Sequence, residues 1–413
     1  MPQTSNSESA TLFRSEAELI LQESRKRKAE RTKTLGSPIE TPGKALGIEI
    51  RGNEAWIAEN TTVARVVDLE TGKTVHLFRG HTAPLTCLAF FTGNFTPGSG
   101  DVMVTGSWDN TIKLWNTDTK ALISSTDAHS DFVKALLVIP SLRLLVSSSS
   151  DKIVRLWDIS TYDDGKPLRS VGSISAHTRP VEAMTFRTIS DRSIVLYTAD
   201  TMGIIRVWDV SQDTQSARCQ IVQQEELNYH RTGINEMLYG EGQLWTASTD
   251  ETVQVRLHPA PASPAKPIPP ITHPAAVKAI LPLSLTFLGE PYLLTGAGDI
   301  IRVYDVSTLE EPELIREVDA HWHDVIALRL WMRTTPVEGA EGKLQVEPWI
   351  VSTSLDGTIR KWRLSELLAP PLPASKVTTP KPEPKATPDV PPSDGYQMSE
   401  EEERELAELM GED

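Results

Sequence analysis

The sequence predicts an all-β repeat protein, and two observations carry that prediction. Six of the nine histidines recur at His81, His129, His177, His230, His273 and His321, at intervals of 48, 48, 53, 43 and 48 residues. A fixed period in this range marks a repeat architecture. The second observation is that each histidine opens a copy of one pattern. After His81 come an apolar run at 85–90, a second run at 102–107 ending on Ser107, Trp108 and Asp109, and a third at 111–115 ending on Trp115.

The runs themselves read as strands. Segments 144–149 and 153–157 are short, carry apolar and β-branched residues and are bounded by turn residues. Asp109, Asp151 and Asp356 each fall between two such runs. A carboxylate there can accept the backbone N–H groups of a tight turn and orient an imidazole, while the following tryptophan donates its indole N–H and fills the gap between sheets. The repeat histidines therefore read as struts rather than as catalysts or metal ligands.

The pattern resembles the WD40 family over roughly residues 44–365. The best copies are His81 with Ser107, Asp109 and Trp115, His129 with Ser149, Asp151, Trp157 and Asp158, and His321 with Asp356 and Trp362. The resemblance implies four-stranded sheets standing as blades around an axis, a seven-bladed β-propeller in all. Six blades fall at about 82–129, 130–177, 178–230, 231–273, 274–321 and 322–365. Segment 44–81 holds four further strand candidates without the aspartate and tryptophan pair, and makes a degenerate seventh blade.

Some copies depart from the pattern. The fourth carries Met202 where the spacing puts the turn aspartate, the fifth carries Arg256 in place of the tryptophan, and the sixth is one residue shorter and carries Tyr304. These changes read as drift or as blades reshaped around a partner. The last blade runs out at 360–364 and the chain turns to Pro370 and Pro371, which oppose a fourth strand. A segment from one of the two extensions must close the ring, because an unpaired edge invites aggregation.

Around the repeats the chain divides into an extension at 1–43, the propeller at 44–368, and a linker with a terminal segment at 369–413. The formal net charge of −15 opposes unspecific nucleic-acid binding through the bulk field. Residues 389–413 hold ten acidic residues against Arg404 alone, whereas 14–33 hold seven basic against four acidic. Segment 14–33 reads as a helix with a capping box at Ser15 and Glu18. Its Arg25, Lys26, Arg27 and Lys28 suit an import signal or a nucleic-acid contact, or simply a solvated face. At the far end, Ser399 caps a short helix with Leu406, Leu409 and Met410 on one side, tethered by a proline-rich linker. It reads as a docking peptide for a partner's groove or as a solubilising tail. Ser37-Pro38, Thr41-Pro42, Thr379-Pro380 and Thr387-Pro388 are candidate phospho-acceptors of proline-directed kinases.

No run of eighteen apolar residues and no signal peptide is expected, and Cys87 and Cys219 read as packed thiols of a reducing compartment, the cytosol or the nucleus. Phosphate loops, paired-cysteine zinc spacing and nucleophile elbows do not occur, so neither a catalytic residue nor a cofactor or metal is expected. Function then falls to surfaces. The resemblance places partner contacts at Pro84, Trp108, Phe132, Arg179, Arg231, Thr249, His323 and Leu355. Trp108 is additional to the strand tryptophan and reads either as a solvent-facing anchor or as an indole packed on a neighbouring loop. The expected role is a non-enzymatic scaffold or adaptor for protein partners in an intracellular complex. The alternatives are the substrate receptor of a cullin-type ubiquitin ligase and a factor of RNA processing or ribosome assembly. The receptors of that ligase often carry Trp-Asp-x-Arg, and here Trp157-Asp158-Ile159-Ser160 and Trp208-Asp209-Val210-Ser211 lack the arginine.

Overall fold

The computed structural model describes residues 16–93, 100–162, 165–212, 218–261, 266–336 and 344–369. Its strands form seven four-stranded antiparallel sheets. In blade 2, for example, the strands are Leu85–Thr92, Asp101–Ser107, Thr111–Asn116 and Leu122–Asp127, running outward from the axis in that order. Innermost strands of successive blades lie side by side, and the circle closes where Ala45–Arg51 of blade 1 meets Val325–Pro336 of blade 7. The expected propeller and its blade count are what the chain adopts.

Period-2 patterning explains why one sheet cannot stand alone. Second and third strands are buried on both faces, as in Glu54–Glu59 and Val63–Asp68, so each sheet hides its two surfaces against two neighbours. A hydrophobic cluster fills every seam. Val146, Leu156 and Ile174 of blade 3 interlock with Val181, Ile194 and Trp208 of blade 4. Between blades 7 and 1, Trp331, Val351 and Ile359 meet Ile48, Ile57 and Val67. The strand tryptophans sit in these seams, Trp115 between blades 1 and 2 and Trp157 between blades 2 and 3. Near the axis the sheets approach so closely that a Cβ on Gly106 would stand 2.7 Å from both Cys87 Sγ and Val133 Cγ1, which is why that position is glycine. Burial among these groups pushes the Cys87 thiol up to about 12, so it is an inert packed thiol.

The N-terminal extension closes the ring. Strand Ile39–Glu40 pairs with the third strand of blade 7, Thr358–Arg363, in the register Ile39 to Ile359 and Glu40 to Thr358. It supplies the fourth strand of that blade. Before it lies a helix, Glu16–Thr32. Lys28 forms ion pairs with Asp299, at 2.6 Å, and with Asp319, and Arg31 pairs with Asp319 as well. The buried Arg360 guanidinium donates to the carbonyls of Thr32 and Leu35, while Lys361 N–H donates to Gly36 O at 2.6 Å. Helix and strand together make a strap across blades 6 and 7. The proposed capping residue Ser15 lies outside the described residues.

Candidate functional site

Two layers of structure build the face on which sequence reasoning places the partner contacts. The inner layer is a hydrogen-bonded relay in each regular blade. In blade 2, Trp115 Nε1–H donates to Thr105 Oγ1 at 2.9 Å, that hydroxyl lies 2.8 Å from His81 Nε2, and His81 Nδ1 lies 2.9 Å from Asp109 Oδ2. The directions are consistent if the hydroxyl donates to Nε2 and the imidazole carries its proton on Nδ1. Asp109 also accepts the N–H of Thr82 and both the N–H and the hydroxyl of Thr111. One carboxylate thus ties the loop entering the innermost strand to the turn between the second and third strands. Blade 3 repeats the relay with Asp151, His129, Ser147 and Trp157, and blade 7 with Asp356, His321, Ser352 and Trp362.

Two sequence readings need correction here. Ser107 and Ser149 are not members of the relay. Their hydroxyls accept from Asp109 N and Asp151 N and donate to Ala83 O and Asp131 O, which fastens the turn instead. The relay hydroxyls stand two residues earlier, at Thr105 and Ser147, because strand residues two apart share a face and the earlier one lies level with the imidazole. A Ser or Thr ten residues before the tryptophan, at 105, 147, 198 and 352, was the available signal. The second correction concerns blade 4. Met202 occupies the expected position, yet the blade keeps its carboxylate: Asp200, the last residue of strand Ser193–Asp200, lies 3.1 Å from His177 Nδ1 and accepts the N–H of Met202 at 2.9 Å. Thr198 and Trp208 complete that relay.

The remaining blades show what substitutes. Blade 5 keeps His230, Asp250 and Thr246, and Arg256 turns its guanidinium over the Tyr229 ring at 5.0 Å. In blade 6 His273 bonds Thr295 Oγ1 and lies 3.3 Å from the Tyr304 hydroxyl, while the neighbouring Asp299 is engaged by Lys28 of the strap. Blade 1 uses a buried ion pair between Glu59 and Arg65, with Thr61 and Thr74 as further partners.

Electrostatics confirm that these groups are committed to structure. Burial, opposed in part by their aspartates, lowers the imidazoles of His129, His230 and His321 below the ordinary range, and burial with Arg302 lowers His273 to about 4. Although burial works in the opposite direction, bonds from His81 and Thr111 hold Asp109 far below the usual carboxylate range, and those from His321 and Thr358 hold Asp356 at about 2. The unfolded chain therefore binds more protons between about pH 6.5 and 4, where its histidines titrate normally and His273 in the fold stays neutral. Stability is expected to fall steadily as pH drops through that window, and further below about pH 4 as the aspartates protonate. Urea midpoints flat from pH 7 to 4 would contradict the assignment.

The outer layer is the loop surface. In all seven blades the residue after the second strand donates its N–H to the carbonyl just before the innermost strand, as Trp108 does to Pro84 at 2.9 Å, Thr249 to Gly233 and Leu355 to Asp324. This bond repeats one loop arrangement around the axis. Trp108 and Phe132 project from adjacent blades, stay 41% and 40% exposed, and stack with centroids 4.9 Å apart at 19°. The two sequence readings of Trp108 thus meet, since the indole packs on a neighbouring loop and still faces solvent. Arg179 and Arg231 are both exposed, and the Arg231 guanidinium donates to Asp250 O of the facing turn at 3.1 Å. His323 is half-buried, its Nδ1 accepts from Asp324 N, and Asp324 pairs with Lys278 at 2.6 Å. Thr249 shares a hydrogen bond with Thr232 and is exposed; Leu355 and Pro84 are half-buried.

On the strap, Arg25, Lys26 and Arg27 are exposed, but Lys28 is drawn into its aspartates. Of the basic run expected for an import signal or a nucleic-acid contact, Arg25 to Arg27 thus face solvent and Lys28 serves the strap. Leu406, Leu409 and Met410 lie outside the described residues. Among the described residues no group of three or more His, Cys, Asp or Glu side chains is placed to hold a metal ion, and no helix is long and apolar enough to cross a membrane.

Comparison with known proteins agrees with this geometry. The family model of the WD domain, G-beta repeat, matches residues 72–116 and 120–158, the stretches that hold the relays of blades 2 and 3. An uncharacterized WD repeat-containing protein of Schizosaccharomyces pombe is 27% identical over 365 residues, covering 85% of this chain and 88% of that protein. The serine-threonine kinase receptor-associated protein of Dictyostelium discoideum is 26% identical, covering 71% of this chain and 85% of its own. The crystal structure of the computationally designed Ika8 protein superposes with a TM-score of 0.52 at 19% identity, covering 79% of this chain and 98% of Ika8, a likeness of fold alone. With WD repeats matched at 72–116 and 120–158 and seven four-stranded blades in its structure, the chain is a seven-bladed β-propeller that carries WD40 repeats.

Proposed function

We propose that this protein is a non-enzymatic scaffold or adaptor of the cytoplasm or nucleus, which binds protein partners of a multiprotein complex through its loop face. The observation that carries the reading is the stacked, exposed pair Trp108 and Phe132. Two large aromatic rings left in water are unfavourable for a solitary protein and favourable for one that buries them on association. Because each ring fixes the other, little side-chain entropy is lost on binding, the property that makes rigid aromatics effective anchors. The relay beneath them holds Asp109 and Asp151 in place and so keeps both loops rigid. The WD40 propeller is in general a fold of interaction scaffolds, which agrees with this assignment.

The tail segment with Leu406, Leu409 and Met410 is proposed as a second contact, linked to the first through the proline-rich stretch. Trp108→Ala, Phe132→Ala and a truncation after Pro392 test both parts by quantitative affinity purification with thermal melts alongside. Each variant is expected to lose at least about tenfold in recovery of the specific partners, as for removal of an interface anchor, with its melting temperature close to that of the parent chain. Undiminished recovery with both aromatic variants would refute the loop-face reading.

A further inference from the structure

The strap that closes the ring carries a chemical handle at its narrowest point. Its pairing with blade 7 is two residues long, Ile39–Glu40, and the next residue is Thr41, followed by Pro42. Thr41 fastens the end of that pairing. Its N–H donates to Gly357 O at 3.0 Å, and its hydroxyl proton is shared between Gly43 O at 2.6 Å and Gly357 O at 3.1 Å. Gly357 in turn belongs to the turn that holds Asp356, the relay carboxylate of blade 7.

We propose that Thr41 is a phospho-acceptor of a proline-directed kinase, and that its modification unfastens the closing strap. In the step, Thr41 Oγ1 attacks the γ-phosphorus of ATP, an Oγ1–P bond forms, the bond to the leaving ADP breaks, and the hydroxyl proton passes to the kinase's base. The ester has no proton left to donate, so both carbonyls lose the hydroxyl. In its place stands a group of about −2 charge facing two carbonyl oxygens, with Glu40 and Asp356 nearby, an arrangement that repels. The strap is also accessible to such an enzyme. It is the outermost strand, Glu40 and Pro42 are exposed, and a two-residue pairing opens at lower cost than any longer ladder in the blade. A kinase that takes Thr41 in the open state leaves a group that opposes reclosure.

The neighbouring Ser37-Pro38 supplies an internal control. Ser37 lines a shallow hollow with Lys361, whose ammonium donates to Leu69 O at 2.6 Å. Glu40 and Glu70 line that hollow too, but Ser37 makes none of the bonds that fasten the strap to Gly357, so a phosphate there is expected to leave the pairing closed.

The test uses the full chain, folded before modification. It is incubated with ATP and a proline-directed Ser/Thr kinase, phosphate is located by peptide mapping, and amide hydrogen exchange is followed at 36–43 and 357–363. Phosphate at Thr41 is expected to accelerate exchange in both segments by about tenfold, the change that corresponds to losing one net hydrogen bond. Ser37→Ala should retain the effect, and Thr41→Val should abolish the kinase-dependent part of it. Kinase-treated chain with phosphate at Ser37 and none at Thr41 would overturn the proposal. So would phosphorylated Thr41 with unchanged exchange.

Discussion

A chain that starts at Lys44, without the strap, is expected to unfold at a markedly lower denaturant midpoint and to self-associate. Three losses add. Ile39, 6% exposed in the seam between blades 7 and 1, is removed, which costs about 2 kcal/mol of apolar burial. The ladder of strand Ile39–Glu40 and the backbone bonds of Thr41 and Gly36 to blade 7 go with it. Arg360, 2% exposed, loses the Thr32 and Leu35 carbonyls and keeps Thr358 Oγ1, and losing two hydrogen bonds of a charged group costs about 2 kcal/mol more. The bared edge of strand Thr358–Arg363 then offers unpaired amides to other molecules. Urea melts and light scattering measure the two effects, and a peptide of residues 14–43 added in trans should reverse both. A truncated chain as stable and as monodisperse as the parent would show that the strap is incidental.

The second large effect is expected at Asp200. Its carboxylate is fully buried and serves His177 Nδ1, the amides of Met202 and Ile204, and the Arg206 guanidinium 3.6 Å away. Asp200→Ala leaves the imidazole and the two amides unmatched and removes one of the two carboxylates beside Arg206, which keeps Glu226 at 3.1 Å, at about 3 kcal/mol. Asp151→Ala strips His129, Ser130 and Ile153 but no cation, and is expected to cost about 2 kcal/mol. Counting residues from the tryptophan ranks these two variants in the opposite order, since it treats blade 4 as lacking its turn aspartate. Chemical denaturation of the two proteins side by side decides between the rankings.

That reversal shows where the sequence is legible and where it is not. Periodicity finds the blades because every seam needs the same alternation, and the histidines mark the loops of blades 2 to 7, blade 1 using Glu59 and Arg65 instead. Fixed spacing fails at Asp200 because a carboxylate at the end of the strand can reach the same imidazole as one two residues on in the turn. It fails likewise at Ser107, which lies on the same strand face as Thr105 and looks equally suited to the relay. The closing strand has no local signature, since two residues ahead of Thr41 and Pro42 carry no period and their partner lies almost a whole domain away. Trp108 stands out on the sequence as a surplus indole, but its stacking on Phe132 depends on two blades coming together.

The pairing of Ile39 with Ile359 also sets an order of events during synthesis. The strand made first is the last to be used, because its partner leaves the ribosome only after six blades have been translated. Throughout that interval the growing array has a naked flank at each end, blade 1 waiting for blade 7 and the strap waiting for both. Contacts between such distant positions form slowly. Nascent chains long enough to expose six blades but not residues 358–363 are therefore the species most in need of chaperone protection, and a ribosome paused just before that point would hold an open arc rather than a ring.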